Sequence, residues 1–265
     1  KDAYGERIMG KTEHRKQYWF VIRELTSREI KRRYSRSKLG IVWSVLNPLL
    51  MMAVLSLIFS QMFDRSVDNY PIFYLCGYIL WQLFTGATNA AMTTLVDNKN
   101  MLIKVRFPMD IFILSRVYTA FVNFLYSLIA FAAMICVFRV WPNWTLLFMP
   151  VIVFLLMIFA LGIAFILATA YVFFGDVKHL YGVLLTLWMY MSAIFYPVDS
   201  LGEGIARVIR ANPIFSYIDG LRFLVLEGTL PPAAEVIQMA VWAVVMFVIG
   251  RCVFVRNRNR IMQRI

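Results

Sequence analysis

One stretch of the chain has the spacing of a phosphate-binding loop. Gly5-Glu6-Arg7-Ile8-Met9-Gly10-Lys11-Thr12 fits G-x-x-x-x-G-K-[ST], in which glycines let backbone amides cradle phosphates while the lysine neutralises them. Such a loop needs a strand leading into it, and four residues before Gly5 leave no room for one, so ATP binding is not expected here. His14 and His179, the only histidines, lie on distant segments without companion cysteines or carboxylates, which argues against a metal site. Cys76, Cys136 and Cys252 sit far apart in or beside apolar runs. They have neither disulfide nor metal-ligand spacing and read as small buried hydrophobes. Asn143-Trp144-Thr145 has the form of a glycosylation sequon, but the pattern is short and abuts an apolar run.

The elements that would position any chemistry are apolar to an unusual degree. Of 265 residues, 61% are hydrophobic and only 16% charged, and the charges cluster between long uncharged runs. A hydrocarbon core of about 30 Å needs about 20 apolar residues per helix, and several runs reach that length. The net charge of +12 lies in segments flanking those runs, which favours orientation in a membrane over nucleic-acid binding. The first apolar run follows a long charged stretch and has no small-residue cleavage site behind it, so a retained span is expected in place of a signal peptide.

The expectation is therefore an all-α integral membrane protein with six transmembrane helices, at about 41–63, 71–96, 109–138, 145–174, 180–196 and 233–250. Before the first of them, residues 1–40 hold twelve of the 27 Lys and Arg residues. Tyr18, Ile22 and Leu25 recur there at helical spacing, with Trp19 beside them and Arg23, Glu24, Arg28 and Lys31 interleaved. That pattern predicts an amphipathic interfacial helix; a disordered basic tail is the alternative. Asn47-Pro48 should distort the first turns of span one. Spans three and four, at about 30 residues or about 45 Å each, must tilt, kink or project into water. Pro197 should end span five. Residues 198–231 then hold an apolar stretch from Pro213 to Leu226 that is too short to span and predicts short re-entrant or interfacial helices. Asn212 is its natural cap, with Pro213 in the first turn.

With both termini inside, the cytoplasmic side takes 21 of the 27 basic residues, including Arg251, Arg256, Arg258, Arg260 and Arg264 in a basic tail at 251–265. Spans one, two, four and five carry no Asp, Glu, Lys, Arg or His in their central turns. A proton-driven transporter usually needs such a group on its path, and a membrane enzyme needs clustered nucleophiles, acids or metal ligands. Arg116 cannot load and unload a proton, and reads as an arginine snorkelling to the cytoplasmic edge or pairing with Asp110.

Aromatic residues make up 16% of the chain. Span five places Tyr181, Trp188, Ser192 and Phe195 near one helical stripe, with Tyr190 and Tyr196 close by. On span one Ser56 and Ser60 share a face, and Phe59 and Phe63 another. Such faces suit the sliding of a sugar-bearing chain, and they equally suit an interface belt with ordinary helix packing.

The stretch from Leu25 to Leu50, LTSREIKRRYSRSKLGIVWSVLNPLL, resembles the lead-in to span one of ABC-2 type permeases that export polysaccharides. That family includes O-antigen, capsular polysaccharide and teichoic acid exporters. Arg28, Arg33, Tyr34, Leu39, Gly40, Trp43 and Pro48 match its pattern, and the order of apolar runs is similar over nearly the whole chain. Gly175, before Asp176, departs from it, since many relatives carry an arginine there.

The resemblance implies a homodimer of permeases in the bacterial cytoplasmic (inner) membrane, joined to two copies of a separate ATP-binding subunit. This chain would be no enzyme and hold no cofactor, with ATP and Mg in the partner. The cytoplasmic loop between spans two and three would dock on the ATPase, here through Asn100, Met101, Leu102, Ile103, Lys104, Val105 and Arg106. Its apolar members in a charged loop have the character of a buried partner surface. Phe59, Phe63, Trp188, Tyr190, Ser192, Phe195 and Tyr196 would line the channel. Trp19, Arg28, Lys31, Arg32, Arg33 and Tyr34 would meet membrane lipids or the pyrophosphate of a lipid-linked glycan. A permease of the same superfamily for drugs or other small molecules, a membrane-embedded enzyme and a passive channel are the alternatives.

Overall fold

The computed structural model describes residues 11–34, 42–63, 69–104, 108–141 and 143–265. Among them the regular structure is helical throughout, without a strand. The chain order is α1 (Lys11–Tyr34), α2 (Val42–Phe63), α3 (Tyr70–Met92), α4 (Thr94–Asp97), α5 (Lys99–Lys104), α6 (Asp110–Val137), α7 (Met149–Phe173), α8 (Val177–Met191), α9 (Glu203–Arg210), α10 (Pro213–Arg222) and α11 (Ala233–Arg264). Three helical stretches among the described residues are long and apolar enough to cross a membrane: Asp110–Val137, Trp144–Phe173 and Ala233–Arg264. The protein is an integral membrane protein. The runs at 41–63, 71–96 and 180–196 overlap α2, α3 and α8, of 22, 23 and 15 residues.

The closest helix pair is α7 against α11. A 3₁₀ turn at Trp144–Phe148 leads into α7, whose Ala160, Ala164 and Ala168 recur every four residues and are wholly buried. Small residues at that spacing let helix backbones approach, which is how helices associate where lipid removes the hydrophobic contrast. The approach to α11 is made on the opposite face, at Gly162, about 200° around the helix from Ala160 and Ala164. A Cβ there would collide with the Met246–Phe247 peptide, and one on Gly250 would collide with the Gly162 carbonyl. Both positions therefore require glycine for contact reasons.

α3 packs against both α6 and α7 and is buried on nearly every side, from Ile72 to Trp81 without interruption. A helix apolar all round belongs in such a place. α2 lies on α3 and α6, and α1 on α6. The last helix does not stop at Gly250: α11 runs 32 residues, about 48 Å, so the basic tail continues as helix beyond a bilayer's thickness.

Span five also departs from the sequence expectation. The apolar run continues to Tyr196, but α8 ends at Met191 and Ala193 adopts a left-handed conformation, φ 47°. Such a conformation costs a non-glycine residue about 1–2 kcal/mol and persists only where the surroundings hold it. Here Ser192 Oγ donates to Trp188 O (2.7 Å), and the buried Arg222 guanidinium donates to Ala193 O (2.8 Å) and Ile194 O (3.3 Å). Tyr70 Oη donates to Phe195 O (2.8 Å), tying the same turn to the start of α3.

α10 starts where the Asn212-Pro213 pair predicts. Asn212 Oδ1 accepts from Ile214 N (3.1 Å), and Pro213 occupies the first turn. The helix is buried against α3, α7 and α11, and a π turn at Phe223–Glu227 ends it at Gly228, φ 64°. Asn143 is engaged in the fold: its Oδ1 caps Trp144 N (2.7 Å) and its Nδ2 donates to Gly228 O (3.1 Å).

Candidate functional site

Three segments converge on Arg116, six residues into α6. Its guanidinium pairs with Glu29 of α1 (2.5 Å), and its Nε donates to Thr94 Oγ1 of α4 (3.2 Å). Next to it Thr26 Oγ1 donates to Ser115 O (3.3 Å), and Trp19 meets Tyr118 edge-on, 5.4 Å between ring centroids. α1 thus rests on α6 through Ile22, Leu25, Thr26 and Glu29, while Arg23, Glu24, Arg28 and Lys31 face away and are exposed. Trp19 is 58% exposed. Arg32, Arg33 and Tyr34 complete the helix, but their side chains lie outside the described residues.

The pairing corrects the expectation that Arg116 snorkels or pairs with Asp110. Six positions along a helix place two side chains on different faces, so Asp110 and Arg116 cannot meet. Asp110 instead pairs with Arg251 of α11, joining the start of α6 to the point where the basic tail begins.

The expected docking loop folds as α5 and divides its apolar residues. Leu102 is 4% exposed and joins the core, Met101 packs against it, and Ile103 is 64% exposed beside exposed Asn100 and Lys104. Val105 and Arg106 lie outside the described residues, as do Gly5 to Gly10 of the phosphate-loop pattern; Lys11 and Thr12 open α1.

The aromatic set on span five is likewise divided. Trp188 sits edge-on to Phe84 (5.4 Å) and Phe159 (6.4 Å), and its Nε1 donates to Asn212 Oδ1 (2.8 Å). Ser192 is fully buried and accepts from Asn212 Nδ2 (3.1 Å). Phe195 is half-buried between Tyr74 and Tyr190, and Tyr196 Oη donates to Tyr190 O (2.5 Å). Tyr190 is 57% exposed, among Leu180, Val183, Leu184, Leu187 and Met191 on the open side of α8. Phe59 and Phe63 lie on α2, with side chains outside the described residues.

At the other end of the bundle, Arg222 stacks on Phe73, 3.5 Å to the ring centroid, and burial lowers its pKa to about 10. Burial raises the Asp219 carboxyl above its usual range, with the nearby Arg222 charge opposing. Asp199, Asp219, Arg210 and Arg222 edge a cavity of about 490 Å³.

A second cavity, about 350 Å³, lies between α2, α3 and α6, where side-chain amides and hydroxyls stand among apolar residues and the Glu29–Arg116 pair closes one end. Arg116 at its end is marked by charge within a span, but the rest of its polar lining there is neutral, so the sequence expectation does not reach it. The neutral amides Asn47, Gln82 and Asn123, each inside an apolar run, are the signal that marks it.

Long apolar helices packed through small residues, with grooves that carry amides and hydroxyls, define a helical membrane protein. Residues 21–226 match the ABC-2 type transporter family. The chain is 31% identical over 251 residues to the O-antigen export system permease protein RfbA of Myxococcus xanthus, covering 94% of this chain and 96% of that protein. It is 28% identical over 238 residues to the protein of the same name from Klebsiella pneumoniae, covering 89% and 91%. With the polysialic acid transport protein KpsM of Escherichia coli it shares 22% identity over 254 residues, 91% and 95% of the two chains. The chain belongs to the ABC-2 type transporter family.

Proposed function

We propose that the chain is the membrane permease subunit of an ATP-driven exporter of lipid-linked polysaccharide, such as O-antigen, capsule or teichoic acid. Two copies, with six spans each, work in the bacterial cytoplasmic membrane with both termini inside, joined to two copies of a separate ATP-binding subunit that holds ATP and Mg. The observation that carries this reading is the 31% identity to an O-antigen export permease over 94% of the chain.

The cytoplasmic end supplies the coupling element. α1, α4 and α6 are locked through Glu29, Thr94 and Arg116, and α5 follows α4 directly. A push on α5 by the ATP-binding subunit therefore reaches α6 and α1 together. ATP binding shifts the permease between closed and open arrangements only through contacts that differ between the two. Asn100, Ile103 and Lys104 present the outward face for that partner, with Met101 and Leu102 anchoring it from below.

The path for the glycan runs between the two copies, along α2 and the open face of α8. Phe59, Phe63, Tyr190, Phe195 and Tyr196 contribute aromatic surface to it, and Trp188 and Ser192 hold the turn that shapes its outer end. Trp19, Arg28 and Lys31, continued by Arg32, Arg33 and Tyr34, lie where the cytoplasmic headgroups and the lipid pyrophosphate would be met. Co-expression with the neighbouring ATP-binding subunit, followed by pull-down and ATP-dependent delivery of a lipid-linked glycan in vesicles, tests the reading. Flux without an ATP-binding partner would replace it with a passive channel.

A further inference from the structure

The groove between α2, α3 and α6 has a composition that spans rarely show. Asn47, Gln82, Thr119, Asn123 and Ser127 line it, with Trp43 half-exposed at the side. Asn47 and Gln82 are exposed on the surface of the protomer. An amide group left unpaired toward hydrocarbon costs about 4–8 kcal/mol, so the part of these side chains not bonded within the protomer calls for water, a second copy or a polar ligand.

The hydrogen bonds decide what kind of ligand. Gln82 Nε2 donates to Tyr78 Oη (2.6 Å), as does Asn47 Nδ2 (3.4 Å), and Thr119 Oγ1 donates to Ser115 O (2.7 Å). The Thr119 hydroxyl and one N–H of each amide are engaged within the protein, so each amide keeps a second N–H to donate, and the amide and hydroxyl oxygens retain capacity to accept. The single cation, Arg116, is neutralised by Glu29 at the groove's end. A lining of amide donors and of acceptors without net charge suits hydroxyls, which both donate and accept, and offers a phosphate no unpaired cation.

Space is also provided. Gly86 forms part of the wall, and a Cβ there would meet only the Ala120 methyl at an ordinary 3.8 Å. Packing does not require glycine at this mid-helix position, where it costs about 1 kcal/mol relative to alanine. What glycine leaves is room, and about 350 Å³ falls within the range of small-ligand sites.

We propose that this groove, contained within one copy of the chain, binds an uncharged sugar, with Asn47, Gln82 and Thr119 accepting from its hydroxyls and the Trp43 indole covering one face. It deepens the exporter reading by placing a sugar subsite in the cytoplasmic half of the protomer, beside the path along α2.

The test uses the permease with its ATP-binding subunit in nanodiscs and a photoreactive alkyl glucoside. Adducts are expected on α2, α3 and α6 around Gly86. Gly86→Leu, which fills the groove with an apolar side chain, and Gln82→Leu should each lower labelling there at least five-fold while the complex elutes unchanged. Unlabelled alkyl glucoside displacing the probe where free glucose does not would assign a glycolipid headgroup; equal displacement by free glucose would assign a soluble sugar. Labelling unaffected by both variants, or displaced better by phosphatidylglycerol than by alkyl glucoside, overturns the proposal. Glycan export is measured separately in the same preparations. Gly86-sensitive labelling without export would keep the groove and remove the exporter reading; export with scattered labelling would do the reverse.

Discussion

Glu29 and Arg116, 87 positions apart in sequence, form a largely enclosed ion pair at 2.5 Å that fastens α1 to the bundle. Removing one partner of a buried pair leaves the other charge uncompensated and costs about 3–5 kcal/mol. With about a quarter of the Glu29 side chain still exposed, the lower part of that range applies. Glu29→Ala should lower the detergent-solubilised melting temperature by several degrees, whereas Arg28→Ala, on the exposed side, should leave it nearly unchanged. Equal shifts in thermal unfolding would show that the pair does not hold α1.

The Gly162–Gly250 contact predicts a sharp asymmetry among glycine substitutions. Gly250→Ala drives a methyl into the Gly162 carbonyl and should separate α7 from α11, with a loss of about 1–3 kcal/mol or more. Gly204→Ala in α9 has open space around it and should be neutral or slightly stabilising. Yield of monodisperse protein and melting temperature measure both; a tolerated Gly250→Ala would mean the helices sit farther apart.

Within α5 two neighbouring apolar residues should behave oppositely. Ile103→Asp changes an exposed side chain and should abolish co-purification with the ATP-binding subunit while the permease stays folded. Leu102→Asp places a charge in the core and should prevent folding altogether. Normal co-purification of the Ile103→Asp variant would remove α5 from the docking surface.

Tyr190 and Trp188 separate transport from support. Tyr190→Ala should slow glycan export several-fold with melting temperature unchanged. Trp188→Ala removes the edge-on contacts with Phe84 and Phe159 and the bond to Asn212, and should cost about 3 kcal/mol of stability, the low end for a Trp that is only partly buried. If Tyr190→Ala exports normally, the open face of α8 is a packing surface and not a path wall.

Features set by adjacent residues are legible in the sequence, and features set by distant partners are not. Asn212 followed by Pro213 announces a helix start because cap and first-turn chemistry are properties of adjacent residues. The Ile22 and Leu25 face of α1 is a periodic signal of the same kind. The end of α8 at Met191 leaves no local mark, because Ser192 to Tyr196 remains apolar and the break is imposed by Arg222, about thirty positions later. Helical spacing alone excluded the pairing of Arg116 with Asp110, but Glu29 emerges as the partner only when α1 folds back onto α6. Among the site residues, Ile103 was legible as an apolar residue in a charged loop, while the inward turn of Leu102 was not. The groove at Gln82 was readable in principle, from amides standing inside apolar runs.

The central claim is that an ATP-binding partner drives this permease to carry a glycan across the membrane. The most direct measurement reconstitutes the permease with that partner in proteoliposomes and follows a lipid-linked glycan into a compartment where an added glycosidase can reach it. The account predicts ATP-dependent delivery that vanishes when the partner cannot hydrolyse ATP. Delivery that persists without the partner, or ATP-driven efflux of small drugs with no movement of glycan, would contradict it.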